Sequence, residues 1–222
     1  MIKQCVLLGS GASIREGIDK DLWNKIKGQN IWSLNYAWLT MPYLPKRELF
    51  VDNNFFKDNV VKLQELAEKG VEVIGKFHSK NAYIDKITKY KTTREKAKYF
   101  GKESIKKNLI FRGAMGLVGM FALSLAIAEG YNEIYLLGYD FGTVSLEEKF
   151  THYYQDKLNV KSSGVGRPIV YRTPKNEIKK QVSDFDVFLR EKDVNIYNVS
   201  LMSNIPFYKK ISYEEFFKCL NG

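Results

Sequence analysis

The sequence predicts an α/β protein: a Rossmann-like open, mostly parallel sheet with helices on both faces and a lid-like insertion. Three observations lead there. Continuously apolar strands alternate with helical stretches along the chain, the pattern of a parallel sheet covered on both sides. The first strand, Cys5-Val6-Leu7-Leu8, runs straight into the turn Gly9-Ser10-Gly11-Ala12-Ser13. Several strands end in small polar residues, which a parallel sheet gathers at its carboxyl edge, where open α/β sheets bind ligands.

The elements follow in order. The glycines after the first strand free the chain to turn sharply and let a ligand approach the backbone without a Cβ in the way. A nucleotide or phosphate suits such a turn. It is neither Gly-x-Gly-x-x-Gly, because position 14 is Ile14, nor a P-loop, so a turn without a ligand stays open. Residues 19–27 read as a short helix with Asp19 or Asp21 near its start. A second strand at 30–34 ends in Asn35-Tyr36, and a third at 48–51 ends in Asp52-Asn53-Asn54. Over 55–69, Phe56, Val60, Leu63, Leu66 and Ala67 fall on one helical stripe that Gly70 stops. Residues 71–74 form a fourth strand, and the basic stretch that follows is helical in part.

Further on, residues 113–129 read as a long apolar helix closed by Gly130. A strand at 133–137 ends in Gly138-Tyr139-Asp140. Residues 142–173 show no period, and a connection of that length inside a compact domain is usually functional, such as a lid, or else disordered. Pro174 suits the first turn of a helix reaching Glu191. A last strand follows at 194–198, and Ser212 opens a closing helix that carries Phe216 and Phe217.

Composition bounds the rest. The 222 residues suit one nucleotide-binding α/β domain, and 45% hydrophobic with 14% aromatic content excludes a mainly disordered chain. Cys5 and Cys219 lie at opposite ends with no CxxC, so no disulfide framework is expected and a reducing cytoplasm fits. The N-terminus enters a strand at once, leaving no room for a signal peptide. The apolar stretch 113–128 falls short of the ~20 residues a membrane crossing needs, so no transmembrane segment is expected. Net charge is +10 and uneven: residues 76–107 hold eleven Lys or Arg against three acids, with aromatics between them. That stretch reads as a contact surface for nucleic acid, anionic lipid or a charged glycan, or as a solvated Lys-rich excursion.

The strand ends combine into one candidate site. Gly9, Ser10, Gly11, Ser13, Asn35, Asp52, Asn53, Tyr139 and Asp140 would all emerge at the same edge. The start of the apolar helix, with Arg112, Gly113 and Gly116, would aim free amides and a guanidinium at the same crevice. Asn both donates and accepts, which suits ribose, phosphate or a base. Together these residues point to a nucleotide site.

The glycine turn, Ser33-Leu34-Asn35-Tyr36 and Phe50-Val51-Asp52-Asn53 resemble the first half of bacterial sialyltransferases that use CMP-activated sugars. The block 119–141 (GMFALSLAIAEGYNEIYLLGYDF) resembles that family's apolar helix, strand and acidic-aromatic turn. It is also similar to proteins of the archaeal 6-hydroxymethylpterin diphosphokinase type. The resemblance implies a Rossmann-like sheet with a mobile lid. It further implies that Ser10, Asn35 and Asp52 or Asn53 contact ribose and phosphates, while the start of the apolar helix receives the base. Where the family has Asn in the glycine turn this chain has Ser10. Where the family has a general-base His, it has Tyr171 and Arg172.

For the chemistry, His152 in the expected lid is the candidate general base, since histidine titrates near neutrality. A loop histidine packed on Tyr153 and Tyr154 is the plainer alternative. Tyr171, with a pKa of ~10, is a poor base at neutral pH. Arg167, in Ser163-Gly164-Val165-Gly166-Arg167, and Arg172 are the candidate phosphate contacts. These roles make a glycosyltransferase with a nucleotide-sugar donor, an unknown acceptor and no required cofactor. One alternative is a diphosphokinase in which Asp52 and Asp140 hold Mg²⁺. Another is a nucleotide-binding protein without catalysis, since fold alone does not decide.

Overall fold

The computed structural model describes residues 2–75, 87–89, 118–140, 153–154, 194–203, 205 and 208–220. They form an eight-stranded sheet from β1 (Gln4–Leu8), β2 (Ile31–Leu34), β3 (Arg47–Phe50), β4 (Glu72–Gly75), β5 (Ile87–Lys89), β6 (Glu133–Leu137), β7 (Asn195–Asn198) and β8 (Lys209–Lys210). The strand order is β5-β4-β3-β2-β1-β6-β7-β8. Every adjacent pair is parallel. The chain therefore builds outward from β1 to β5, then restarts on the other side of β1. The gap between β1 and β6 is the switch point, where open sheets of this kind take their ligands.

Residue alternation sorts the core into two faces, as period two requires. Cys5 and Leu7 turn to one face with Trp32, Leu34, Leu49, Ile134 and Leu136, beneath helix α4 (Val118–Ala128). Val6 and Leu8 turn to the other with Ile31, Tyr135 and Leu137. That face is covered by α1 (Ile14–Asp19), α2 (Leu22–Lys25) and α5 (Tyr213–Leu220). Phe50 and Val73 extend it beneath α3 (Asn53–Glu68). Helices thus lie on both faces, as the alternation predicts. Among the described residues no helix is long and apolar enough to cross a membrane.

Helix ends explain the boundaries. Asp52 caps α3 by accepting from the amides of Asn54 (2.6 Å) and Phe55 (3.2 Å) through Oδ1, so that helix starts before residue 55. Ser212 and Glu215 make a reciprocal capping box that opens α5: the Glu215 amide donates to Ser212 Oγ (3.2 Å) and the Ser212 amide to Glu215 Oε2 (2.8 Å). Phe216 and Phe217 then enter the core, each worth about 2–3 kcal/mol of burial. The helix expected over 19–27 is corrected. Helix α1 begins at Ile14 and ends at Asp19, and Asp21 takes a left-handed φ of 65° that separates it from α2. The two-residue edge strand β8, with both lysines exposed, was not expected at all.

The basic stretch 76–107 lies outside the described residues except for β5. The lid expected over 142–173 does so except for Tyr153 and Tyr154, as does the helix expected from Pro174 to Glu191.

Candidate functional site

The switch point is stitched shut at its floor. The Gly9 amide donates to the Leu137 carbonyl (2.7 Å) and the Gly11 amide to the Gly138 carbonyl (2.9 Å). The Ser13 amide and hydroxyl both donate to Asp140, at 2.9 Å to Oδ2 and 2.5 Å to Oδ1. Asp140 thereby puts its charge at the start of α1, the end of a helix that favours an anion. A Cβ on Gly11 would stand 2.4 Å from Asp140 Oδ2. The sequence reading gave this glycine's open side to a ligand, but the group that approaches it is the chain's own carboxylate. Gly138 allows the turn with a φ of +68°.

One strand over, β2 opens into a second corner. Asn35 takes a left-handed φ of 55°, and its amide donates to the Leu49 carbonyl (3.0 Å). Its side-chain Oδ1 is buried without a partner. Tyr36 stacks edge-on against Phe55 and Tyr154. Residues Ala37–Thr40 form a 3-10 turn that receives Tyr153. The Tyr153 hydroxyl pairs with Thr40 Oγ1 (2.6 Å) and donates to the Ala37 carbonyl (3.2 Å). Its amide donates to the Ser10 carbonyl (3.1 Å), and the Tyr154 hydroxyl pairs with the Ser10 side chain. Tyr153 and Tyr154, only 2% and 4% exposed, therefore join the β1 turn to the β2 turn.

Under this corner lies Glu48, fully buried on β3 opposite Ser33, whose hydroxyl donates to its Oε2. Burial pushes its carboxyl well above the usual carboxylate range, against the pull of the Ser33 hydroxyl and the Asn35 amide. Burial likewise raises the Tyr153 and Tyr154 phenols, so both remain neutral donors at physiological pH.

Ser10, Ser13, Asn35, Asp52 and Asp140 thus sit at the carboxyl ends of four adjacent strands, in the order β3, β2, β1, β6. Asn53 is the first residue of α3. Tyr139 does not face the crevice. Its ring is buried against α4 and its hydroxyl donates to the Gly119 carbonyl (3.2 Å), while its own carbonyl accepts from Ser203 Oγ (2.8 Å) and Asn198 Nδ2 (3.2 Å). Its place in the apolar stretch Ile134 to Tyr139 makes it a core residue.

Asp52 and Asp140 stand three strands apart, about 14 Å at ~4.8 Å per strand, too far to share one cation. Among the described residues no cluster of three or more His, Cys, Asp or Glu is placed to hold a metal. Arg112, Gly113, Gly116, His152, Arg167, Tyr171 and Arg172 lie outside the described residues. Sequence reasoning missed Thr40 and Glu48, and named Tyr153 and Tyr154 only as neighbours of His152. Only the adjacent tyrosines, an aromatic pair in a stretch without a period, carried a signal.

A family model described as CST-I, alpha-2,3-sialyltransferase, matches residues 25–218. Solved structures similar to this chain include the monofunctional alpha-2,3-sialyltransferase Cst-I from Campylobacter jejuni. It is 16% identical with a TM-score of 0.57, over 93% of this chain and 79% of that one. The C. jejuni sialyltransferase CstII in complex with the substrate analogue CMP-3FNeuAc is 14% identical with a TM-score of 0.52, over 94% and 86%. The MAf glycosyltransferase from Magnetospirillum magneticum AMB-1 is 14% identical with a TM-score of 0.61, over 100% of this chain and 36% of that one. At these identities the structural likeness speaks for the fold. No curated protein sequence matches the chain.

Proposed function

Because this chain belongs to the CST-I alpha-2,3-sialyltransferase family, we propose that it binds a CMP-activated sugar and transfers the sugar to an acceptor hydroxyl. The observation that carries this reading is the row of Ser10, Asn35 and Asp52 at adjacent strand ends, with Tyr153 and Tyr154 tied to the Ser10 turn beside them. A solved sialyltransferase of the same fold is described with CMP and a trisaccharide acceptor, which favours a donor and an acceptor meeting in one crevice.

In the proposed reaction the acceptor oxygen attacks the anomeric carbon, the bond from that carbon to the phosphate oxygen breaks, and CMP leaves. His152 takes the acceptor proton. It directly precedes Tyr153 in the chain, whose amide the Ser10 carbonyl holds. Arg167 or Arg172 stabilises the charge gathering on the departing phosphate. Asn35 and Ser10 hydrogen-bond ribose or phosphate, and Asp52, whose Oδ1 is spent on capping α3, offers Oδ2 to a ribose hydroxyl.

Calorimetry with CMP, CDP, UDP, GDP and ATP, with and without Mg²⁺, tests the donor class. Selective CMP binding that does not need Mg²⁺, weakened by Asn35→Ala, supports the reading. Binding of ATP alone and only with Mg²⁺ would overturn it in favour of a kinase.

A further inference from the structure

Buried polar atoms without partners call for an explanation, because leaving one unpaired costs stability. Three of those among the described residues, Asn35 Oδ1, Trp38 Nε1 and Glu48 Oε1, belong to the one corner where β2 ends. Nothing in the transfer reaction above uses Glu48. Yet it is a carboxyl group fully buried in the sheet, one strand from the proposed donor contact.

We propose that Glu48 positions Asn35: Oε2 takes the Ser33 hydroxyl, while Oε1 carries the acid's proton and donates to the Asn35 side-chain carbonyl when donor binds. Donor and acceptor types support the pairing. With the Ser33 hydroxyl donating to Oε2, a proton on the acid falls to Oε1, which then needs an acceptor. Of the other two orphans in this corner, Trp38 Nε1 can only donate, whereas Asn35 Oδ1 accepts. Proximity is given by the register of β2 on β3, where Ser33 stands opposite Glu48 and the Asn35 amide donates to the carbonyl of the next residue, Leu49 (3.0 Å).

Closing the pair fixes the Asn35 amide with its NH₂ turned toward the crevice. Burial favours the protonated acid, and the titratable groups that feel Glu48 across the corner, Tyr153 and Tyr154, are themselves held neutral by burial. An ionised Glu48 would lose the donor and place a negative charge beneath an anionic nucleotide. Glu48 is a positioning residue and touches no substrate.

This inference rests on the reading of Asn35 as a donor contact, and the test separates the two. CMP affinity is measured by calorimetry on the full chain for wild type, Glu48→Gln, Glu48→Ala, Glu48→Met, Asn35→Ala and the double variant Asn35→Ala/Glu48→Ala. Glu48→Met keeps the side-chain volume if the alanine variant does not fold. Glu48→Gln, which still donates and accepts, should stay within about threefold of wild type. Glu48→Ala or Glu48→Met should bind about tenfold or more weakly, and the double variant no more weakly than Asn35→Ala alone, the signature of a shared pathway. Wild-type affinity in Glu48→Met, or additive losses in the double variant, would overturn the positioning role while leaving the donor site standing. Wild-type protein that does not bind CMP, or Asn35→Ala that binds normally, would overturn the donor reading and this inference with it.

Discussion

Ser13 and Asp140, 127 residues apart, are joined by two hydrogen bonds, from the Ser13 amide and from its hydroxyl. The bond pair fixes where α1 begins and locks the β1 turn to the end of β6. A hydrogen bond to a charged group contributes about 1.5–3 kcal/mol. Ser13→Ala should therefore cost roughly that much in urea denaturation, and Asp140→Ala more, since it strips both donors of their acceptor. Gly11→Ala should match or exceed Asp140→Ala, because its Cβ would stand 2.4 Å from Asp140 Oδ2. Unchanged midpoints in Ser13→Ala and Asp140→Ala would show that the turn is held otherwise.

Asn35 separates backbone from side chain. Its φ of 55° suits Asn and Gly and strains other residues by about 1 kcal/mol. Asn35→Gly should thus melt close to wild type and Asn35→Ala clearly lower, while both lose CMP affinity to a similar degree. If Asn35→Gly keeps full affinity, the side chain does not touch the donor.

Glu48 carries a pH signature. An unfolded glutamate ionises near the ordinary 4.5, whereas burial raises the folded value well above it. Over the window between the two, the folded state holds one more proton than the unfolded state. Its stability is therefore fullest below the unfolded value and drains as pH rises through the folded one. Relative to Glu48→Gln, which does not titrate, wild type should lose stability as pH rises above the unfolded value. Chemical denaturation of both proteins at several pH values checks this. Parallel stability curves would mean that Glu48 is ionised in the folded protein.

Legibility in the sequence followed the range of the forces involved. Strands β1 and β6 were readable almost to the residue, because burial on both faces writes itself as a continuous apolar run. The resemblance carried by Asn35-Tyr36 and the block 119–141 agrees with the family matched over residues 25–218. The start of α1 was not readable, since what anchors Ser13 is Asp140, brought near only when β1 pairs with β6. Glu48 carried no signal beyond its place at the start of the third strand. Its partner Ser33 is 15 residues away and becomes a neighbour only through the register of β2 on β3. Tyr153 and Tyr154 were noted as neighbours of His152, but their burial against the β1 and β2 turns is a tertiary fact with no period to announce it.

The proposed chemistry turns on His152. The neutral tyrosines beside it in the chain, Tyr153 and Tyr154, are both pushed above their ordinary values by burial, which removes them as bases near pH 7. Removing a general base slows turnover by about 10²–10⁴-fold. His152→Ala should reduce transfer and donor hydrolysis from a CMP-activated sugar by that order, with CMP affinity within about threefold of wild type. A control in Tyr153 sharpens the result. Tyr153→Phe removes the bonds to Thr40 and Ala37 but keeps the ring and the amide bond to Ser10, so it should lower stability by about 1 kcal/mol and leave kcat nearly intact. Loss of activity in Tyr153→Phe equal to that in His152→Ala would show that the segment's anchorage, and not an imidazole, limits the reaction. Near-normal turnover in His152→Ala would reject the base outright.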